Sequence, residues 1–207
     1  IEMLPVEMGP EGPDMDQVEK LVATDDSIKG IWCVPKYSNP TGIVYSDDVV
    51  QRLAAMPTKA VDFRIFWDNA YSVHFLGDGP APLADIMAAC KKANHPDRVY
   101  IFGSTSKITF ASGGVALLAS SKANQDRFRK QIGYQTIGPD KLNQLRHVLY
   151  FKNAAGIVDH MHKHKVILGP KFEAVQTALE NELGGKAIAS WTRPQGGYFV
   201  SLDTMPG

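Results

Sequence analysis

Short apolar runs rich in β-branched and aromatic residues alternate with stretches of helical spacing along most of the chain. The opening run Ile1-Glu2-Met3-Leu4-Pro5-Val6 reads as a strand, and residues 14–23 follow with apolar positions three and four apart and acidic residues at the start. A short strand is predicted over 31–35. Ser46 offers an N-cap for a helix over 47–56, which Pro57 stops. A strand at 64–67, a helix near 82–93 and strands at 99–103 and 114–120 continue the alternation. From Asp140 the texture changes to a long helical stretch over 141–168 that resumes after Gly169-Pro170 through 171–183 and ends at Gly184-Gly185. Two last strands, 187–192 and 198–202, flank the turn Arg193-Pro194-Gln195-Gly196-Gly197.

Strand and helix trading places predicts an α/β fold, a three-layer architecture in which a mostly parallel sheet has both faces covered by helices. The shift to long helices places a boundary near residue 165. Residues 1–165 are then the later portion of a large domain, and 166–207 begin a small α+β domain. No internal repeat, low-complexity tract or flexible linker interrupts the chain. It opens inside one strand-like run and stops just after another, so a piece of a longer protein is expected.

Composition narrows the partners. Twenty-two basic and twenty-two acidic residues cancel, leaving no electrostatic footprint for nucleic acid or an anionic membrane. No apolar run approaches the roughly 18 residues of a spanning helix. Cys33 and Cys90 are too few and too far apart for a disulfide framework or a zinc site, which points to a reducing, cytoplasmic setting.

The candidate chemistry lies where strands give way to turns. In open α/β sheets ligands gather outside the carboxyl ends of the strands. Asn39-Pro40-Thr41-Gly42, Asp68-Asn69-Ala70-Tyr71 and Ser104-Thr105-Ser106-Lys107 each fall just past such an end. An amine there can trap an aldehyde as a Schiff base, and a carboxylate against a pyridine nitrogen keeps that ring protonated as an electron sink. A phenol and an amide can bond the ring's phenolic oxygen, while small hydroxyls and backbone N–H groups at a turn suit a phosphate. These are the requirements of pyridoxal 5'-phosphate. Lys107 fits the covalent anchor, Asp68 the ring nitrogen, Tyr71 and Asn39 the phenolic oxygen, and Ser104 and Ser106 the phosphate, with Gly113-Gly114 nearby.

These tetrapeptides resemble those of the fold-type-I pyridoxal-phosphate enzymes, and among them the class I aminotransferases. The family's Asn-Pro-x-Gly, Asp-x-x-Tyr and Ser-x-Ser-Lys are matched in order and at similar gaps, and Pro194-Gln195-Gly196-Gly197-Tyr198-Phe199 is similar to the Pro-x-Gly-Gly-x-Phe segment that opens the family's small domain. The run 104–111, Ser-Thr-Ser-Lys-Ile-Thr-Phe-Ala, resembles a bacterial aspartate-aminotransferase-like subgroup. The resemblance implies amino-group transfer between an amino acid, a dicarboxylate such as aspartate, and a 2-oxo acid, on a homodimer that shares its sites. One departure stands out. Most relatives place a phosphate-gripping arginine eight residues after the lysine, where this chain has Val115. Either hydroxyls and backbone hold the phosphate, with Ser112 or Ser104 carrying more of the contact, or another residue supplies the charge. The family's ring-stacking aromatic, its earlier phosphate turn and its carboxylate-binding arginine fall outside the chain, so an incomplete active site is expected.

Simpler readings compete. Asn-Pro-x-Gly is a common turn, Asp68 can cap a helix, and Tyr71 can be core packing. His160 and His164 stand four apart on one helix face, as metal ligands can, but without a carboxylate or cysteine nearby a solvated face is the better reading, and no metal is expected. Arg146, Lys141 and Arg193 are weaker candidates for a substrate carboxylate. A lyase acting on a C–S bond or β-substituent would use the same motifs. A non-catalytic effector-binding domain of a transcription regulator would need a basic segment that the chain lacks. A nucleotide-binding module would need a glycine-rich phosphate loop, and none is present.

Overall fold

The computed structural model describes residues 1–205. Its centre is a four-stranded sheet of β3 (Gly30–Cys33), β4 (Arg64–Asp68), β5 (Val99–Ser104) and β6 (Ala116–Ser120), in that spatial order. The first three are parallel, with Cys33 beside Trp67 and Trp67 beside Ile101. β6 returns antiparallel against β5, Ser104 opposite Ala116. Ahead of the sheet come a two-residue hairpin, β1 (Met8–Gly9) and β2 (Gly12–Pro13), and helix α1 (Met15–Thr24). The strand expected over 1–6 does not form. Ile1, Met3 and Leu4 are exposed and no described strand lies alongside them, so the segment has no ladder to join.

Helices α2 (Asp47–Ala55) and α3 (Ile86–Lys92) are the crossovers from β3 to β4 and from β4 to β5. Ser46 Oγ accepts from the Val49 N–H and Asp85 accepts from the N–H groups of Met87 and Ala88, so each helix begins on a capping side chain. Both crossovers step the same way along the sheet. Right-handed connections that step one way deposit their helices on one face. There Val18 and Val22 of α1, Val50 and Leu53 of α2 and Ile86 and Cys90 of α3 close over Cys33, Ile65, Trp67 and Val99 as the main core.

The other face of the mostly parallel sheet carries a row of aromatic rings. Trp32 stacks on Phe66 at 5.8 Å and on Phe102 at 6.0 Å, and Trp32 is 54 % exposed. Among the described residues no crossover steps in the reverse direction, and α4 (Lys122–Ile132) flanks the face at the β6 edge.

The long helical stretch divides into α5 (Lys141–Phe151) and α6 (Ala154–Leu183). Lys152 takes φ 64 and Asn153 caps α6 by accepting from the Gly156 N–H, which turns the chain between them. α6 runs through Pro170 without interruption. At the end, β7 (Ala189–Trp191) pairs antiparallel with β8 (Leu202–Thr204), later than the strand expected over 198–202. Tyr198 and Phe199 instead join a second core at the carboxyl edge of the sheet, with Tyr37, Tyr71, Phe75, Ile108, Phe151 and Met161. That core ties α5, α6 and the 194–199 turn to the loops that follow β3, β4 and β5.

Candidate active site

Because β3, β4 and β5 are parallel, their carboxyl ends open on one edge. Asn39 follows β3, Asp68 ends β4 and Lys107 follows β5, so the three predicted tetrapeptides lie along that edge. Alternation along β4 buries Trp67 in the main core and turns Asp68 to the opposite, aromatic face. Asn39 is exposed on a turn in which the Gly42 N–H donates to the Ser38 carbonyl; Gly42 holds φ 75, a conformation glycine adopts without strain.

Lys107 is presented by a tight loop between β5 and β6. The Thr105 N–H donates to the Val115 carbonyl at 2.9 Å, and the Val115 N–H returns to Thr105 Oγ1 at 2.8 Å. The N–H groups of Ile108 and Thr109 both donate to the Thr105 carbonyl, winding one helical turn around Lys107. Ile108 is buried in the second core and pins that turn, while Lys107 itself is exposed. The Lys107 Nζ stands 5.7 Å from the centroid of the Tyr71 ring. Tyr71 is in turn packed edge-on by His74, Tyr198 and Phe199. The Ser104 and Ser106 hydroxyls are 2.8 Å apart, and the Ser106 N–H donates to Ser104 Oγ. Ser112 is exposed in a short 3-10 turn, Ala111–Gly113.

Neither Lys107 nor Asp68 joins an ion pair among the described residues. A free amine near a phenol, with a carboxylate, an amide and a pair of hydroxyls on the same edge of the sheet, matches in chemistry the donor set that a pyridine bearing an aldehyde, a phenolic oxygen and a phosphate requires. The residues fit pyridoxal 5'-phosphate. Val115, in the place of the family's arginine, engages Thr105 through its backbone and brings no charge. Of the weaker cationic candidates, Arg193 pairs with Glu180, and Lys141 and Arg146 are exposed on α5.

The histidine tract corrects one expectation. His160 and His164 do not form a solvated face: both are half-buried, His160 Nε2 lies 2.7 Å from the Ile108 carbonyl, and His164 Nε2 lies 3.1 Å from His160 Nε2. Among the described residues no group of three or more His, Cys, Asp or Glu is placed to hold a metal. Sequence reasoning also passed over His147, whose Nε2 accepts from the Thr105 hydroxyl at 2.8 Å, and His74, whose buried ring touches Tyr71 and Tyr198. Their long-range partners, Thr105 for His147 and Tyr198 for His74, are far away in sequence, and no local spacing signals them. Tyr198 lay inside a recognised motif, but its bond to the Lys107 carbonyl, at 2.8 Å, could not be read there.

The model of the aspartate amino-transferase family matches residues 1–207. A Mycolicibacterium smegmatis protein that bears an aminotransferase name is 52 % identical over all of this chain and 48 % of its own length. The aspartate aminotransferase of Corynebacterium glutamicum is 47 % identical over 206 residues, again 48 % of its length. A crystal structure of an aspartate transaminase from that organism superposes on all of this chain and 48 % of its own with a TM-score of 0.96. A Thermus thermophilus α-aminoadipate aminotransferase, complexed with N-(5'-phosphopyridoxyl)-L-leucine, shares the fold at 24 % identity and a TM-score of 0.80, covering 51 % of that protein. The chain thus spans about half the length of the relatives it matches. With the family model matched from end to end and the fold shared at near-superposable accuracy, the chain belongs to the aspartate amino-transferase family.

Proposed function

We propose that this chain carries the lysine-bearing half of a pyridoxal-phosphate-dependent aminotransferase that moves an amino group between an amino acid and a 2-oxo acid. The observation that carries the reading is the approach of Lys107 Nζ to the Tyr71 ring at 5.7 Å, on the sheet edge where Asp68 also ends its strand. Residues 1–165 are assigned to the large domain and 166–207 to the start of the small one.

The cofactor, when bound, supplies an electron sink for the charge left at the substrate Cα as its proton departs. Each residue has a part in that chemistry. Lys107 would hold the cofactor covalently through Nζ, and its amine would also serve to take a proton from the substrate Cα and return it, a general base and then a general acid. Asp68 would keep a proton on the pyridine nitrogen. Tyr71 through its phenol and Asn39 through its amide would donate to the ring's phenolic oxygen. Ser104 and Ser106, with Ser112 at the rim, would hold the phosphate through hydroxyls in place of the absent arginine.

A dicarboxylate such as aspartate is the proposed amino donor, supported by the name of the Corynebacterium relative. We assign the protein to the cytoplasm as a homodimer; no helix among the described residues is long and apolar enough to cross a membrane. The lyase and effector-domain readings find no support in the relatives named above.

The test is the absorbance spectrum of the purified full-length protein. A band at the edge of the visible, abolished by borohydride and missing in Lys107→Ala, establishes the covalent link, and a band retained in that variant removes the assignment. Spectral titration with aspartate, glutamate, alanine and aromatic amino acids then reads the substrate class. An aromatic amino acid acting as well as aspartate would count against a dicarboxylate.

A further inference from the structure

The turn that presents Lys107 is held from outside by side chains of two helices and one loop. Tyr198 bonds the carbonyl of Lys107 itself, His147 of α5 bonds the hydroxyl of Thr105, and His160 of α6 reaches the carbonyl of Ile108, the residue next to the lysine. The Ile108 contact crosses 52 positions of sequence at 2.7 Å. A carbonyl can only accept, so His160 carries its proton on Nε2. Nδ1 is then a lone pair, and the Tyr150 hydroxyl at 3.2 Å donates to it. His164 Nε2, 3.1 Å from the same N–H, presents its own lone pair as a second acceptor. Every atom of the chain from Tyr150 through His160 to Ile108 therefore has one consistent role. The His160 ring is also fixed sterically, edge-on to Phe151 at 5.3 Å and to Tyr150 at 5.5 Å.

We infer that His160 is a positioning residue for Lys107: its Nε2–H, held in that tautomer by the Ile108 carbonyl and matched at Nδ1 by the Tyr150 hydroxyl, with the ring flanked by His164, fixes the Ile108 carbonyl and with it the direction in which the lysine leaves the turn. The inference rests on the assignment of Lys107 as the cofactor-bearing lysine. It does not need His160 to touch cofactor or substrate. An amine that must both hold the cofactor and move a proton at Cα gains from a turn that cannot rotate, because misplacement of a reacting group costs rate even when binding is kept.

Two variants of the full-length protein separate a donor from a filler. His160→Leu removes the N–H, and His160→Gln keeps an N–H at similar reach. Hydrogen exchange of the Ile108 and Thr109 amides is read in the cofactor-free protein, so its outcome is independent of whether the cofactor assignment is right. His160→Leu is expected to speed that exchange about tenfold, the factor one net hydrogen bond is worth, and to lower kcat by a similar factor with KM unchanged. His160→Gln is expected to restore both. Wild-type exchange in folded His160→Leu, or a Gln variant as impaired as the Leu variant, overturns the inference. If His160→Leu does not fold, Tyr150→Phe takes its place: loss of the hydroxyl that anchors the Nδ1 side of the ring is expected to loosen the Nε2–H donor and raise exchange severalfold, and unchanged exchange overturns the inference equally.

Discussion

The hydroxyl of Tyr198 donates to the carbonyl oxygen of Lys107 at 2.8 Å, joining positions 91 residues apart. The bond links the turn that opens the last hairpin to the turn that follows β5. Burial, and then the neighbouring Tyr71, push the Tyr198 phenol above its ordinary range, so it keeps its proton and remains a donor at neutral pH. Tyr198→Phe keeps the ring contacts to His74 and Tyr71 and removes only the donor. A loss of about 1 kcal/mol is expected, the net worth of one hydrogen bond. Urea unfolding of the full-length protein checks it, with the midpoint lowered and the slope unchanged. An equal midpoint would mean that water replaces the phenol at no cost.

Much of this arrangement was legible, and the physics explains which part. Residues 31–35, 64–67 and 99–103 announce themselves as compact apolar runs bounded by turn residues, and Ser46 and Pro57 delimit their helix through short-range effects. The three tetrapeptides follow those strands directly, so placing the strands set the tetrapeptides along one edge of the sheet. α4 was missed because its apolar content is too low to show a face; only Asn124 is buried, and the surviving signal was Ser121 accepting from the Asn124 N–H. Tyr198 and Phe199 look like strand residues but fill the second core, and β8 forms after them. Trp32, Phe66 and Phe102 made the strands apolar on both faces, the pattern of a mostly parallel sheet. The histidine contacts to Thr105 and Ile108 depend on where α5 and α6 dock, and no local rule contains that information.

His74 predicts an acid sensitivity. It is 3 % exposed; among the described residues neither ring nitrogen has a partner at hydrogen-bond geometry, and the nearby Lys107 and Tyr71 backbone offsets its burial only in part. Burial pushes its pKa down from 6.5 to about 4. The unfolded chain therefore binds the proton more readily than the folded one, and stability present above the unfolded value is lost as pH falls from 6.5 toward 4. Within that window the slope from this one group is at most about 1.4 kcal/mol per pH unit. His74→Phe keeps an aromatic ring against Tyr71 and Tyr198 and is expected to flatten the fall. Unfolding midpoints at pH 5 and pH 7 measure it, and an undiminished difference would assign the sensitivity to another group.

Arg98 closes the carboxyl end of α2. Its guanidinium, 7 % exposed, donates through Nη1 to the carbonyls of Ala54 at 3.0 Å and Met56 at 2.8 Å. Those carbonyls lie past the last intrahelical donors and have no helical partner of their own. Arg98→Met fills similar volume and leaves both buried acceptors unsatisfied, with an expected cost of about 2 kcal/mol or more. The site edge is remote, so kcat in the folded fraction is expected to be unchanged. A variant of wild-type stability would show that water reaches both carbonyls.

Gly114 tests how closely the Lys107 turn is held. A Cβ there would lie 2.8 Å from both Cα and Cβ of Ser106 and 2.9 Å from its backbone nitrogen, closer than such contacts occur in proteins. The backbone of Gly114 is ordinary extended chain, φ −69 and ψ 157, so the substitution strains nothing except this approach. The atoms it meets belong to the residue immediately before Lys107; two are backbone and the third, Cβ, is fixed by the backbone, so none has a rotamer to retreat into. Gly114→Ala must push Ser106, and the lysine with it, away from the segment 114–115. Displacement of a reacting group by about 1 Å can cost up to a hundredfold in rate. A large fall in kcat is expected, with a smaller loss of thermal stability, because the bonds between Thr105 and Val115 can partly survive the shift. Steady-state kinetics and thermal unfolding of the full-length variant read the two effects separately. Unchanged kcat would mean that the loop relaxes without moving Lys107 and that the close packing against Gly114 plays no part in aiming the amine.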